Sequence, residues 1–247
     1  MGPIIKDSYL YFKIVNLGDP TKAVTPTLDG AVLAVLARAG RPLTVGEIAR
    51  ESARGSEIGI RRCLARLVDQ GIVRATPMGR NRVHELNREH VAAPVALVLT
   101  DLRSELWKRL RGELRRWRVS PYRAAVFGSA ARGDGNDTSD IDILLVHPLF
   151  PGDPEVPPQA TVLRREEVAL STPPNWSRAE ALLWNKQVDR LRAKVMAWTG
   201  NPAQVVDVSF AEWVARSSCE GIWTEVERDS IDLMPKLSGR GRPVEGS

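Results

Sequence analysis

The pattern of apolar and polar positions along the chain predicts an α+β protein. Three segments between residues 27 and 71 carry apolar residues at helical spacing. Thr44 and Glu47 stand at the spacing of a capping box, and Ser56 is placed to cap the third helix. Two short runs of alternating residues follow around a turn at residues 77–81, and this change of period predicts a β-hairpin.

The second half of the chain has the pattern of a mixed sheet with flanking helices. The periodicity predicts helices at about 87–100, 101–117, 177–199 and 211–235. It predicts strands at 122–127, 141–146, 160–163 and 204–210. Five prolines within residues 148–160 indicate a loop, and the polar tail of residues 237–247 is expected to be disordered.

Composition narrows the class of protein. A length of 247 residues, of which 43% are hydrophobic, suits two ordinary domains. Two cysteines and three histidines argue against a disulfide scaffold and against a metal site built from these residues. No apolar run is long enough for a transmembrane helix, and the N-terminus lacks the features of a signal peptide. A cytoplasmic protein without a membrane partner is expected.

The net charge of +5 is unevenly distributed. Between Arg61 and Arg118 fourteen basic and six acidic residues give a net charge of +8, whereas the rest of the chain carries −3. Such a basic segment indicates a polyanionic partner, of which double-stranded DNA is one. A solvated, arginine-rich helix surface gives the same charge, so charge alone leaves both interpretations open.

The basic half resembles a winged helix-turn-helix domain. The resemblance rests on three short helices, the third followed by Gly71-Ile-Val and a basic hairpin. It implies that the third helix would present Ser56, Arg61 and Arg62 to DNA, and that the hairpin would bring Arg80 and Arg82 to the phosphate backbone or minor groove; this is the predicted DNA-binding set. The alternative is a winged helix used for protein contact, including formation of a homodimer.

The acidic half contains the residues that indicate chemistry. Gly128 and Ser129 end an apolar run, where a glycine lets a phosphate approach backbone N–H groups and a serine adds a donor. Asp140 and Asp142 alternate with isoleucines on a predicted strand, so both carboxylates share one face. Two adjacent carboxylates repel each other unless a cation such as Mg²⁺ neutralises them, and phosphoryl transfer uses this arrangement.

Three further residues complete the predicted site. Asp207 is the preferred third carboxylate because apolar residues flank it on a predicted strand, whereas Asp189 lies on an amphipathic helix and Asp153 in the proline-rich loop. Arg132 is positioned to reach a triphosphate or an acceptor, or else to lie on the surface. Ser139 is expected to orient the loop that carries the carboxylates.

Gly128-Ser129 followed by Asp140-Ile-Asp142 resembles the signature of the DNA polymerase beta-like nucleotidyltransferase superfamily, close to its minimal and antibiotic-modifying members. The resemblance extends over about residues 100–235. It implies a mixed αβ core, an NTP donor, two Mg²⁺ ions and three aspartates, with Asp207 matching by context only. It also implies that the Gly-Ser pair contacts the triphosphate.

These observations together predict four segments and one leading function. The segments are a lead-in (1–20), a winged helix-turn-helix (21–95), a nucleotidyltransferase domain with a helical connector (96–236) and the tail (237–247). The expected reaction moves NMP from an NTP to a protein, a tRNA or a small molecule, with Asp207 activating the acceptor.

The leading function has a context suggested by analogy, and two other interpretations accompany it. Fusions of this kind resemble toxin–antitoxin and phage-defence components by analogy alone. A DNA-binding regulator that only senses nucleotide is the main alternative. An antibiotic-modifying enzyme is disfavoured because it has no need of a winged helix.

Overall fold

A computed structural model describes residues 15–136, 138–156, 176–215 and 221–234. It is an α+β structure with two sheets, in agreement with the predicted fold class at that level. The predicted strand at 160–163 and the tail lie outside the described residues. The chain divides into two compact units, and the first contains the described residues up to Lys108 together with Gly133–Asp140 and Val195–Pro202. The remaining described residues form the second unit.

Residues up to 100 form helices around a small sheet. In chain order they are a 3₁₀ turn (Pro20–Ala23), α1 (Leu28–Ala39), β1 (Leu43–Thr44), α2 (Val45–Glu51), α3 (Glu57–Asp69), β2 (Val73–Met78), β3 (Asn81–Leu86) and α4 (Ala93–Thr100). The sheet is antiparallel, in the order β1-β3-β2. Helix α3 packs its apolar face into a core shared with α1, in which Ile60, Leu64 and Leu67 are buried.

Local capping signals explain where these helices begin. The Thr44 hydroxyl accepts from the Glu47 N–H, and the Glu47 carboxylate accepts from the Thr44 N–H at 2.7 Å, which confirms the predicted capping box. The Ser56 hydroxyl accepts from the Gly59 N–H at 3.2 Å, which confirms the predicted cap of α3. Each signal lies within four residues, so no tertiary contact is needed to specify it.

The helix predicted at 87–100 begins later, at Ala93. Asn87 instead donates from its side chain to the Gly71 carbonyl at 2.9 Å, and the Ala93 N–H donates to the His90 carbonyl. Pro94 stands in the first turn of α4, where its missing N–H costs nothing. A turn therefore replaces the first six residues of the predicted helix.

The rest of the chain forms a four-stranded sheet with helices. Its elements are α5 (Leu102–Leu114), β4 (Arg123–Phe127), α6 (Gly128–Arg132), β5 (Ile141–His147), α7 (Arg178–Thr199), β6 (Ala203–Ser209), α8 (Phe210–Ala215), α9 (Ile222–Asp229) and β7 (Ile231–Asp232). The strand order is β6-β5-β4-β7, with β5 and β6 parallel and the other pairs antiparallel. One face carries an apolar core formed by Phe127, Leu144, Val146, Phe210, Trp213 and Val226.

The predicted continuous helix over 211–235 is corrected by the structure. Within the described residues this stretch contains α8, α9 and the two-residue strand β7, whose Ile231 pairs with Val126 of β4. A two-residue strand leaves no periodic signal in a sequence, so only the sheet edge reveals it. Among the described residues, no helix combines the length and apolarity that a membrane span requires.

Candidate functional site

The turn from β4 into α6 is built around Gly128. Its φ of 67° lies in the left-handed region, which glycine adopts without strain. A Cβ at this position would lie 2.4 Å from Oδ2 of Asp142, so the absence of a side chain also makes room for that carboxylate. Ser129 follows as the second residue of α6 and is half-buried. The structure therefore brings the predicted Gly-Ser pair and Asp142 together.

Asp142 is the second residue of β5, and Asp140 immediately precedes the strand. Asp142 is half-buried and opposite Phe127 in the antiparallel pair, whereas Asp140 is exposed. Ile141 and Ile143 have no exposed surface, which confirms the predicted alternation. Along an extended chain, residues two apart share a face, and this spacing suits two carboxylates that bind one hard cation.

Asp207 does not lie beside Asp142. In the parallel register of β5 and β6, Asp142 pairs with Gln204 and Leu145 pairs with Asp207. Paired residues share a face and successive residues alternate, so Gln204 lies on the face of Asp142 and Asp207 on the opposite face. The sequence indicated that Asp207 belongs to a strand, but only the strand register shows which face it occupies.

The Asp207 carboxylate has a different partner. Its Oδ2 accepts a hydrogen bond of 2.9 Å from the indole Nε1 of Trp184, a side chain that is buried on α7. Desolvation by the surrounding protein raises the pKa of Asp207, and the hydrogen bond from Trp184 opposes this shift. The residue as a whole stays exposed, so the raised pKa reflects the covered oxygen rather than burial of the whole residue.

The described residues provide a limited set of cation ligands. Among them, no group of three or more His, Cys, Asp and Glu side chains is arranged to hold a metal ion. Asp142 and Gln204 occupy paired positions on one face, and an amide oxygen is an acceptable neutral ligand for Mg²⁺ or Ca²⁺. The carboxylates available to hold a cation here are those of Asp140 and Asp142, and sequence reasoning missed their neighbour Gln204.

Arg132 and Ser139 both have side-chain partners in the structure. Arg132, the last residue of α6, forms a 3.1 Å ion pair with Asp229, which Arg228 also contacts at 2.7 Å. Arg228 foremost, and Arg132 as well, hold the pKa of Asp229 below its usual range. The Ser139 hydroxyl accepts from the Asn136 N–H at 2.9 Å, within the loop that precedes β5.

The five predicted DNA-binding residues are all exposed. Ser56 caps α3, and Arg61 lies one turn further along that helix in an exposed ion pair with Glu57. The turn between β2 and β3 is shorter than predicted and consists of Gly79 and Arg80 alone. The structure therefore places Ser56, Arg61 and Arg62 on α3, and Arg80 and Arg82 at or beside the hairpin turn.

Comparison with known proteins adds one finding. Residues 107–195 match the family model described as nucleotidyltransferase domain, a DNA polymerase beta-like family. The matched range contains Gly128, Ser129, Asp140 and Asp142, and it ends before Asp207. No curated protein and no solved structure matches the chain. The middle of the chain is thus similar to a nucleotidyltransferase domain, which indicates transfer of a nucleoside monophosphate as the general chemistry.

Proposed function

We propose that this protein is a Mg²⁺-dependent nucleotidyltransferase that moves NMP from an NTP to an acceptor and releases pyrophosphate. The observation that supports the proposal most is the close approach of Gly128 to the Asp142 carboxylate, inside the range that matches the family. A Cβ at this position would displace the carboxylate, and the φ of 67° favours glycine as well. Its placement preserves a half-buried carboxylate at the end of a strand.

The chain's own residues would act mainly by positioning and charge. Asp140 and Asp142 would hold Mg²⁺, which when bound neutralises the charge of the triphosphate and of the leaving pyrophosphate. Gly128 leaves the backbone at the start of α6 open to a phosphate oxygen, and the Ser129 hydroxyl would donate to the triphosphate. We do not assign Asp207 to the cation, because it lies on the other face of the sheet.

Arg132 is proposed to place its positive charge near the triphosphate, and to do so it must first release Asp229. Its guanidinium is paired with Asp229, whose side chain is 13% exposed. A triphosphate would have to compete with that carboxylate for Arg132. An alternative role for Arg132 is to fix the end of α6 against α9, and replacement of Asp229 by Asn separates the two roles.

A transfer assay tests the proposal. The full chain is incubated with each α-labelled NTP, Mg²⁺ and cell extract, and the labelled product is then digested with protease or ribonuclease to identify its class. Transfer that requires Mg²⁺ and disappears in an Asp140→Ala, Asp142→Ala variant supports the proposal. The matched control is Asp189→Asn, which alters an exposed acid paired only locally with Arg192. Transfer that survives the double substitution contradicts the proposed site.

We further propose that residues 21–95 form a winged helix that binds double-stranded DNA. The order of α1, β1, α2, α3, β2 and β3, with exposed arginines on α3 and on the hairpin, supports this. Replacing Arg61 and Arg62 by Ala should weaken binding and lower the slope of log affinity against log salt by about 0.9 for each phosphate that the variant no longer neutralises. The control, Arg192→Ala, removes an exposed arginine from α7.

Salt-dependent duplex binding without any NMP transfer would favour the alternative, a regulator that only senses nucleotide. Transfer without duplex binding would instead favour a winged helix used for protein contact. The two assays are therefore run on the same preparation of the full chain.

A further inference from the structure

The loop Gly133–Asp140, which ends at a proposed Mg²⁺ ligand, is held by residues from the beginning of the described chain. The Gly18 N–H donates to the Gly135 carbonyl at 2.9 Å. A Cβ on Gly18 would lie 2.6 Å from that carbonyl oxygen and 3.2 Å from the Gly133 carbonyl oxygen. Residue 18 therefore has to be glycine for the two backbones to approach this closely.

A second connection runs through Asn201, which has no exposed surface. Its Nδ2 donates to the Ser139 carbonyl at 2.9 Å, and its Oδ1 accepts from the Val15 N–H at 3.1 Å. The Asn201 backbone N–H also donates to the Thr199 hydroxyl at 3.0 Å, which fixes the residue. Both ends of the amide are used, and the residue that it holds directly precedes Asp140. A buried amide with two defined partners specifies one arrangement of the loop.

Residues 15–19 are also connected to the start of α3, through an ion pair between Asp19 and Arg54. Asp19 is 7% exposed, and its Oδ2 lies 3.1 Å from Nε of Arg54. Arg54 also donates from Nη2 to the Thr25 and Thr27 carbonyls at 2.6 Å each. Arg54 stands two residues before Ser56, the cap of α3. We call residues Val15–Asp19 the strap.

We infer that the strap is a coupling element: it connects the start of α3 to the loop that ends at Asp140, with Asn201 as the positioning residue of that loop. All of these residues belong to one compact unit. A partner that binds α3 and shifts Arg54 would thereby change the position of the loop, and with it the requirement for Mg²⁺. The effect on the Mg²⁺ requirement rests on the proposed function, whereas the connection between the strap and the loop does not.

Coupling of this kind is reciprocal. If duplex DNA lowers the Mg²⁺ concentration needed at Asp140, Mg²⁺ must raise the affinity for duplex DNA by the same factor. The strap itself is tested without activity, by amide hydrogen exchange of the full chain followed by NMR. Its reporters are the N–H groups of Gly18, Asn136, Thr138 and Ser139, each of which has a hydrogen-bond acceptor in the structure.

Asp19→Asn removes the charge of the ion pair and keeps the shape of the side chain. It should raise the amide exchange rates of the four reporters by about tenfold and leave the exchange rates in β4 and β5 unchanged. The reason is that local opening of the loop requires less free energy than global unfolding. Glu89→Gln is the matched control, since it removes the exposed pair with Arg74, which lies in the same unit but away from the start of α3. Unchanged reporters, or a rise shared equally by β4 and β5, would overturn the inference.

Gly18→Ala provides a second variant in case Asp19→Asn fails to fold, because its Cβ would push on the Gly135 carbonyl without removing a charge. It should also raise the Mg²⁺ concentration that gives half-maximal transfer, which a purely structural role would leave unchanged. If the variants exchange the reporter amides faster and the wild-type protein shows no transfer, the strap is retained and the proposed function is rejected. Normal reporters in an active protein reject the strap alone.

Discussion

Two aspartates on neighbouring strands of one sheet show how differently the same residue type is used. Asp142 on β5 lies against Gly128, on a face whose paired strand position is the neutral Gln204. Asp207 on β6 lies on the opposite face and accepts a hydrogen bond from the buried indole of Trp184. The comparison shows that the strand register, rather than residue type or flanking pattern, determines which face of the sheet a carboxylate occupies.

The largest effect is expected from Gly128→Ala. The new Cβ would meet the Asp142 carboxylate, and alanine is strained at a φ of 67°, so we expect transfer to fall by about 10²-fold or more. Gly112→Ala on α5 is the matched control, because among the described residues no atom beyond the local helix backbone lies within 4 Å of its added Cβ. Transfer rates measured under identical conditions give the comparison. An active Gly128→Ala enzyme would remove the reason for placing the site beside Asp142.

A smaller effect is expected from Asp207→Ala, which leaves the buried Trp184 indole without its acceptor. Removing such a partner costs about 1–2 kcal/mol of unfolding free energy, which a urea titration measures. Asp207→Asn should recover most of that loss, since an amide oxygen also accepts from the indole. If the Asn variant unfolds as easily as the Ala variant, the charge of Asp207 matters more than its hydrogen bond.

Gln204→Glu would add a carboxylate next to Asp142 on the same face of the sheet. We expect the Mg²⁺ concentration for half-maximal transfer to fall by about threefold, since an ionised oxygen ligand binds the cation more strongly than an amide. With Mg²⁺ present, the same substitution should leave the urea midpoint unchanged, because the cation neutralises the added charge. A higher Mg²⁺ requirement would show that position 204 does not face the cation.

The smallest effect is a pH dependence of stability. Desolvation raises the pKa of Asp207 in the folded protein, so the unfolded chain loses this proton first as the pH rises. Stability from this group is therefore present below its usual pKa of 3.8 and is lost as the pH rises through the folded value. Urea midpoints of wild type and Asp207→Asn are compared from pH 3 upward. The midpoint of the wild type should fall relative to that of Asp207→Asn as the pH rises, because the other carboxylates contribute equally to both proteins.

Local features of the fold could be predicted from the sequence, and features that depend on distant partners could not. The capping box of Thr44 and Glu47 needs only residues three apart, and it was confirmed. The burial of Ile141 and Ile143 followed from alternation within one strand. Helix α4 started late because Asn87 bonds to Gly71, a contact that periodicity does not encode.

The candidate site likewise has features that could be predicted from local sequence and features that depend on distant partners. Gly128 and Asp142 are brought together by the adjacent strands β4 and β5. Their motifs in the sequence identified both residues as candidates for the site. The face of Asp207 depends on how β6 aligns with β5, and a shift of one residue would have reversed it. The roles of Gln204, Asp229 and Asn201 depend on contacts with residues far along the chain, so no local signal marked them.

We propose that Asp142, and not Asp207, serves the transfer of NMP. The most direct measurement compares label transfer from an α-labelled NTP by wild type, Asp142→Asn and Asp207→Asn at saturating Mg²⁺, with each variant first shown to be folded. We predict that transfer falls by about 10²-fold or more in Asp142→Asn and changes by less than about threefold in Asp207→Asn. Equal loss in both variants, or loss in Asp207→Asn alone, would contradict the account.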